Sequence, residues 1–277
     1  MCFFHTSQTK CSCLEVTKIM SLPTKCDYLI IGAGIHGLST AWHLCKKLSS
    51  KGQLKENSVV VLEKSKVANG ASGVACGIVR NNYYQPAMRR LMAHSVNVWN
   101  ENAEALTYKQ VGYMQINSEL MQEGMSEVYE QQKEIGFDSE FIEGASDCDK
   151  YMKDMLPDWQ AQGITSVLHE KKTGYGANRG AIEGFHKLAV SAGAKVLEGV
   201  TVNNLISSNG SGAVSAVETS EGKIECTQLV VAAGPWVRKF WEILELPNTV
   251  KIKKPDGSFT DDIPMWSYMA LEEGELE

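Results

Sequence analysis

The sequence predicts a mixed α/β (α+β) fold, and three observations carry that reading. The apolar run "YLII" at residues 28–31 ends on glycine and is followed by a helical pattern and a second apolar run, "SVVVL" at 58–62. Strands buried on both faces read this way, as near-continuous apolar runs. A third such run, "LVVAA" at 229–233, returns far along the chain. Between and after these segments lie shorter alternating runs of antiparallel character. Nucleotide-type signals thus open the chain and return over residues 181–240. This order predicts two domains, each discontinuous in sequence.

The elements follow in order. Tyr28–Ile31 reads as a buried strand, and Ile35–Leu48 as a helix with Ile35, Leu38, Trp42 and Leu48 at helical spacing. Ser58–Leu62 is the second strand, closed by Glu63. The stretch "KSKVANGASGVACGIVRNNYYQP" is too rich in glycine for a helix and reads as a small-residue loop. Ala87–Leu106 carries Met88, Leu91, Met92, Val96 and Trp99 on one side, a helix. Gln110–Ile116 reads as a strand, Leu120–Ile135 as an amphipathic helix, and Ser146–Leu156 as a short helix stopped by Pro157. Ile164–His169 reads as a strand, "KKTGYGANRG" as a loop, and Ala181–Ala192 as a helix. Lys195–Leu197 and Val200–Leu205 are strands, and Val214–Glu218 with Lys223–Cys226 forms a hairpin around Glu221-Gly222. The third apolar strand, Leu229–Ala233, leads to a helix starting near Pro235. Val250–Lys254 and Met265–Leu271 read as strands on either side of "PDGS".

The composition excludes several classes. Over 277 residues, 43% are apolar and 22% charged, as in a globular domain with a core. A net charge of −6 argues against nucleic acid as a partner, which asks for a basic face. No apolar run approaches the roughly 18 residues of a membrane span. Eight cysteines are scattered without a CxxC pair; Cys11 and Cys13 sit in a polar leader, and no metal site is expected. Free thiols point to a reducing compartment: the cytoplasm, with the mitochondrial matrix as the alternative. Residues 1–24 read as a disordered leader, with Met20 as the expected natural start.

The chemistry is concentrated in "DYLIIGAGIHGLSTAWHL". Gly32, Gly34 and Gly37 satisfy G-x-G-x-x-G between a strand and a helix. The first permits the tight turn, the second lets the backbone approach a pyrophosphate, and the third lets the helix pack close to its strand. The helix N-terminus then offers unpaired N–H groups to the phosphates. Ala33, Ile35 and His36 share that turn. Glu63, followed by Lys64, ends the second strand where a carboxylate accepts ribose hydroxyls, and it disfavours a 2′-phosphate. A Rossmann-like unit binding FAD or NAD is expected. The small-residue loop Gly70–Ile78, placed directly after the acidic strand, and the later turn at Ala232–Gly234 let a flat ring system lie against backbone, which favours FAD.

At these residues the chain resembles a known family. "DYLIIGAGIHG", "VVVLEK", "GASGVACGIVRNNYYQPAMRRL" and "LVVAAGPWV" are similar to the FAD-dependent amine and amino-acid oxidoreductases of the D-amino-acid oxidase superfamily. The likeness is greatest to the sarcosine oxidase beta subunit and dimethylglycine dehydrogenase branch. It implies that residues 25–107 and 171–243 bind FAD, and that 108–170 and 244–277 form a mainly antiparallel substrate domain. Gly32, Ala33, Gly34, Ile35, His36 and Gly37 would take the pyrophosphate, and Glu63 and Lys64 the adenosine side. The backbone of Val202 would meet the adenine. Ser72, Gly77, Ile78, Ala233, Gly234 and Trp236 would border the flavin. Arg80 would hold a substrate carboxylate, since a guanidinium fork grips one with two parallel hydrogen bonds. A surface ion pair is the alternative for Arg80, and a small packing residue is the reading for Cys76.

The implied reaction oxidises the C–N bond of a small N-methylated or other amino acid by hydride transfer to flavin, with hydrolysis of the resulting iminium. The sequence shows no catalytic dyad or triad. Oxygen or another flavoprotein would accept the electrons, and a partner subunit is among the implied partners. The chain departs from the resemblance in two places. Asn178 stands where beta subunits carry a histidine that attaches FMN, and an amide is no such nucleophile. The sequence also ends before the family's returning glycine-rich segment, so either a fragment or a naturally short chain is expected. Three alternatives stay open: a NAD-dependent dehydrogenase, a deaminating D-amino-acid oxidase-like enzyme, and a non-catalytic nucleotide-binding chain or subunit.

Overall fold

The computed structural model describes residues 21–207, 213–254 and 256–264. In chain order the elements are β1 (Lys25–Ile31), α1 (Ile35–Ser50), β2 (Val59–Glu63), β3 (Ile78–Val79), α2 (Pro86–Glu101), β4 (Tyr108–Lys109) and β5 (Tyr113–Asn117). They continue with α3 (Glu119–Glu134), β6 (Glu140–Glu143), α4 (Ala145–Met155), β7 (Ser166–Glu170), β8 (Gly174–Gly176), α5 (Asn178–Ser191) and β9 (Lys195–Glu198). The remainder comprises β10 (Val202–Ser207), β11 (Val214–Thr219), β12 (Gly222–Val231), α6 (Val237–Ile243), β13 (Thr249–Val250) and β14 (Ile263–Pro264).

The largest sheet has the order β10-β11-β12-β1-β2-β9. Strands β12, β1, β2 and β9 run parallel, and β10 and β11 add an antiparallel meander. The three apolar runs lie side by side in register: Ile31 pairs with Leu62 on one side and Val231 on the other. Their carboxyl ends, Gly32, Glu63 and Ala232, therefore share one edge of the sheet. Helices α1 and α5 cover one face through Leu38, Trp42, Cys45, Ile182, Phe185 and Ala189, with Val96 of α2 beside them. The meander and Phe240 of α6 cover the other face against Leu29, Ile31, Val60 and Leu62. Each such fully buried Leu or Val contributes about 1.5–3 kcal/mol relative to exposure. Helix α1 ends cleanly because Gly52 is left-handed at φ +63, and Gln53 N–H closes back on the Leu48 carbonyl.

A second three-stranded sheet, β5-β7-β6, is antiparallel throughout, with α3 packed on it through Met125 and Val128 and α4 through Cys148 and Met152. A third, β3-β8-β4, joins the small-residue loop to the segments around it. The mixed α/β fold expected from the sequence is thus the one observed.

Several local expectations are corrected. The strand expected over 110–116 starts only at Tyr113, as β5: residues 110–112 are no strand, with Gly112 at φ +81 and hard against His169 separating β5 from β4. The segment "KKTGYGANRG", expected as loop, contains β8 and the first turn of α5. Its glycines mark close approach rather than freedom: a Cβ on Gly174 would lie 1.9 Å from the Lys109 carbonyl oxygen. The expected hairpin strand at 223–226 and the third apolar strand are one strand, β12, antiparallel to β11 at its start and parallel to β1 along its length. Strand β6 was not expected, and α2 stops at Glu101 rather than 106. A 3-10 turn, Gly234–Trp236, precedes α6. Of the leader, residues 21–24 are described and tied to the sheet, with Glu225 N–H donating to the Thr24 carbonyl and Lys195 Nζ to that of Ser21; residues 1–20 and the strand expected at 265–271 lie outside the described residues.

Candidate functional site

The glycine turn sits where the sheet register places it. Gly32 is left-handed at φ +102, and an added Cβ would lie 2.5 Å from the Ala232 carbonyl oxygen. On Gly37 it would lie 1.9 Å from the Gly32 carbonyl oxygen, so α1 starts in backbone contact with the end of β1. Gly34 is the extended N-cap of α1 and has no side chain to cap it. The first N–H groups of a helix have no intrahelical acceptor. Here Ile35 N–H finds one in Ser72 Oγ at 3.1 Å. His36 and Gly37 follow at the same helix end.

Glu63 faces this turn from β2. Its Oε2 accepts the Ala33 N–H at 3.0 Å, and its Oε1 accepts the Ser65 N–H at 3.0 Å and the Ser65 hydroxyl at 3.2 Å. A carboxylate offers about four acceptor sites, so one remains open and the rotatable Ser65 hydroxyl can yield another. The chain leaving β9 crosses beside it, with Val200 N–H donating to the Glu63 carbonyl. Val202 opens β10 just beyond. Its side chain is buried, which leaves only its backbone for a ligand.

The two segments expected at a flavin meet. The ring of half-exposed Trp236 lies 3.6 Å from where Gly70 would carry a Cβ, and Lys64 Nζ sits 4.1 Å from the centre of that ring. Ala233 and Gly234, the latter at φ +56, turn the chain into Trp236. The loop holding Ser72 is itself tight. A Cβ on Gly73 would lie 1.8 Å from the Ala68 carbonyl oxygen, and one on Gly77 2.3 Å from that of Gly176. The Asn178 side-chain amide donates to the Ala75 carbonyl and so pins the loop to the start of α5. Cys76 is exposed on this loop and unpaired. Ile78, on β3, is half exposed.

Arg80 follows β3 and reaches the second sheet. Its Nη1 donates to the Tyr113 hydroxyl at 2.6 Å, and its guanidinium lies 5.2 Å from the ring centres of both Tyr83 and Tyr113. Burial works against its charge, but the Tyr113 and Tyr83 hydroxyls outweigh it and hold its pKa above the ordinary arginine value. It forms no ion pair among the described residues. Tyr113 in turn donates to Gln115 Oε1 at 2.8 Å, and Gln115 to Asn117 at 3.1 Å, a polar row along one face of β5.

Two participants escaped the sequence reading. Tyr113 was assigned only to a strand, although its alternation with Gln115 and Asn117 marked a polar face. Glu170 is fully buried at the end of β7. Its signal was present: "SVLHE" ends an apolar strand on glutamate just as "VVVLE" does. Among the described residues no cluster has the make-up of a metal site, and no helix is long and apolar enough to cross a membrane.

A left-handed glycine turn, an open helix N-terminus and an acidic strand end at the carboxyl edge of parallel strands define a dinucleotide-binding protein. The family model described as FAD dependent oxidoreductase (DAO) matches residues 27–256, and the chain belongs to that family. FAD is the family's cofactor, and the cradle fits it. Gly32 and Gly37 have no space for side chains, α1 presents its N-terminus, and Glu63 is oriented by two backbone N–H groups. The chain is 26% identical over 216 residues to the sarcosine oxidase subunit beta of Rhizobium meliloti (strain 1021), covering 75% of this chain and 49% of that protein. It is 24% identical over 227 residues to mitochondrial sarcosine dehydrogenase of Mus musculus, covering 79% and 23%. It therefore spans about half the length of the first relative and about a quarter of the second. In fold it is similar to L-proline dehydrogenase from P. horikoshii, with a TM-score of 0.71 at 22% identity, covering 85% of this chain and 63% of that one.

Proposed function

We propose that the chain forms the FAD-binding part, and part of the substrate surface, of an oxidoreductase that oxidises the C–N bond of a small N-methylated or other amino acid, sarcosine- or dimethylglycine-like. Residues 25–107 and 171–243 are the FAD-binding domain in this reading, and 108–170 and 244–277 the substrate domain. When bound, FAD takes up the hydride from the carbon beside nitrogen. The helix α1 N-terminus and the glycine turn hold the pyrophosphate. Glu63 accepts from the ribose, the Val202 backbone lies toward the adenosine, Lys64 meets the cofactor beside Trp236, and the loop from Ser72 to Ile78 with Ala233, Gly234 and Trp236 borders the ring. Arg80 binds and orients the substrate carboxylate. The enzyme works in the cytoplasm or the mitochondrial matrix, passing electrons to oxygen or another flavoprotein, with or without a partner subunit.

The observation that carries this reading is the state of Arg80. A guanidinium steered by two phenols, with no ion pair among the described residues, presents a binding fork for a carboxylate that arrives with the substrate. The test is anaerobic. The purified chain, loaded with FAD, is mixed with sarcosine, dimethylglycine, proline or D-alanine, and with methylated amines that lack a carboxyl group. Bleaching of the visible flavin band by the N-methyl acids, with R80A raising KM about 30- to 100-fold and R80K less, supports the proposal; charged hydrogen bonds of about 2–3 kcal/mol set that scale. Equal rates with the carboxyl-free amines would refute it. Bleaching by D-alanine alone would replace it with the deaminating alternative.

A further inference from the structure

Behind Arg80 lies a buried carboxylate for which the proposed reaction has no use. Glu170 Oε2 accepts the Asn81 N–H at 2.8 Å, one residue after Arg80. Its Oε1 accepts the Gln132 amide at 2.5 Å. It forms no ion pair among the described residues. The amides around it are oriented in series. Asn81 Nδ2 donates to the Arg89 carbonyl at 2.7 Å, which turns Asn81 Oδ1 toward Gln132 Nε2 at 3.3 Å. Gln132 Oε1 is left buried without a partner. The network therefore offers Glu170 donors only, a setting built for an ionised carboxylate, in a place where dehydration disfavours one.

We propose that Glu170 is a positioning residue for substrate capture: it fixes the Asn81 backbone, and thereby Arg80, and its ionisation sets how much of the Arg80 charge a substrate carboxylate meets. The inference rests on the reading of Arg80 given above.

The groups facing Glu170 are few. From the segment after β3 comes Arg80, whose charge acts on it. From β4 comes Tyr108, whose hydroxyl is pushed up to about 12 by burial first and the Glu170 charge second. From β5, Tyr113 is its strand partner. From α2, Arg89 lies behind Asn81, bound to the Tyr83 carbonyl. From α3 only the Gln132 amide reaches it. On β7 itself, His169 meets Tyr151, and Lys171, just beyond the strand, pairs with Glu140. Dehydration raises the Glu170 pKa to about 7, against the pull of Asn81, Gln132 and Arg80. Below that pH the neutral carboxyl leaves the Arg80 charge undiminished, and above it the carboxylate competes with substrate.

The experiment measures propionate binding to the FAD-loaded chain, through its perturbation of the flavin spectrum, from pH 5.5 to 8.5. Wild type should weaken by about tenfold across that range, as expected for one charge gained near a partly solvated site. E170Q should bind at every pH as wild type does at the acid end, since its amide oxygen still serves Asn81 and Gln132 can turn its free oxygen inward. Carboxyl 13C NMR of wild type should show one glutamate titrating near neutrality, a readout that needs no folded variant; E170Q, where it folds, should lack that signal. A pH profile unchanged in E170Q, or a Glu170 titration in the ordinary carboxylate range, overturns the inference. Propionate binding that is also indifferent to R80A overturns the proposed function as well. R80A-sensitive binding with an unchanged E170Q profile overturns this inference alone.

Discussion

Replacing Gly37 by alanine separates the geometry of the turn from the mere presence of glycine. Alanine is the better helix former, so in an open helix G37A would stabilise by about 1 kcal/mol. Here the new Cβ would lie 1.9 Å from the Gly32 carbonyl oxygen and 3.1 Å from its carbon, and both are backbone atoms that cannot rotate away. Overpacking costs about 1–3 kcal/mol, and a rigid neighbour places this case at the upper end. The net expectation is about 2 kcal/mol of destabilisation, as α1 shifts off β1. With a urea slope of about 2–3 kcal/mol/M for a chain of this size, the unfolding midpoint falls by roughly 0.7–1 M. The shift also moves the Ile35 N–H off Ser72 and misaligns the helix N-terminus, so FAD content should fall with stability. G34A is the control: its Cβ meets only the Ser72 side chain, at 3.1 Å from Oγ. It should keep the urea midpoint within about 0.5 kcal/mol of wild type while losing FAD affinity, because the added methyl stands where the pyrophosphate must approach. Circular dichroism and FAD fluorescence quenching follow the two quantities. A G37A protein with an unmoved midpoint would refute the argument, and so would equal FAD loss and equal destabilisation in both variants.

Three further outcomes follow from other parts of the molecule. E63Q keeps an oxygen for the Ala33 N–H but would lose the charge-assisted ribose contact proposed above; its FAD dissociation constant should rise about tenfold, measured by fluorescence titration. L168A, which truncates a fully buried residue on the sheet under α3, should cost about 2–5 kcal/mol in chemical denaturation while the isolated cradle contacts persist. For Glu170 the sign is that of an acid whose folded pKa lies above its ordinary 4.5. The native state binds the extra proton, so stability is fully present below pH 4.5 and declines as pH rises to about 7. E170Q should therefore gain on wild type by up to about 3 kcal/mol at pH 8 and little at pH 5. A flat difference between the two pH values would show that Glu170 is ionised throughout.

How much of this was legible depends on what kind of signal each part leaves. The parallel strands were readable because Leu29, Ile30, Val60 and Val61 are apolar on both faces, and only a doubly covered strand tolerates that. The glycine turn was readable because its constraint is local: a left-handed Gly32 and a close-packed Gly37 lie within one turn of the chain. The junctions were not. Gly174 and Gly176 read as loop glycines and Gly112 as part of a strand, yet each is small because a distant group lies against it: the Lys109 carbonyl, Trp99 and His169 respectively. Sequence shows the residue and not the neighbour. The same limit hid Tyr113 and Glu170, whose importance comes from contacts 33 and 89 residues away. It also hid the merger of two expected strands into β12, since a strand that changes partners midway keeps one continuous backbone.

These long-range contacts have a consequence for how the site divides its labour. The loop carrying Ser72 and Gly77 is held at three points, by the Ala68 carbonyl against Gly73, the Gly176 carbonyl against Gly77, and the Asn178 side-chain amide on the Ala75 carbonyl. Gly73 and Gly77 leave no room for a side chain, so the ring-side loop is mechanically stiff and chemically bland. Arg80 emerges from the end of that stiff segment, and every polar partner it has comes from side chains: Tyr83 and Tyr113, then Gln115 and Asn117 beyond, and Glu170 through Asn81. A change at Tyr113 or Gln115 therefore re-aims the guanidinium without disturbing the cradle, whereas a change at Gly73 or Gly77 disturbs both at once. In the proposed function, substrate preference would be set along β5 and cofactor binding at the sheet edge. Y113F is the direct probe: it should alter KM for carboxylate substrates severalfold, leave FAD affinity where it was, and fail to do so only if Arg80 takes its position from the loop backbone alone.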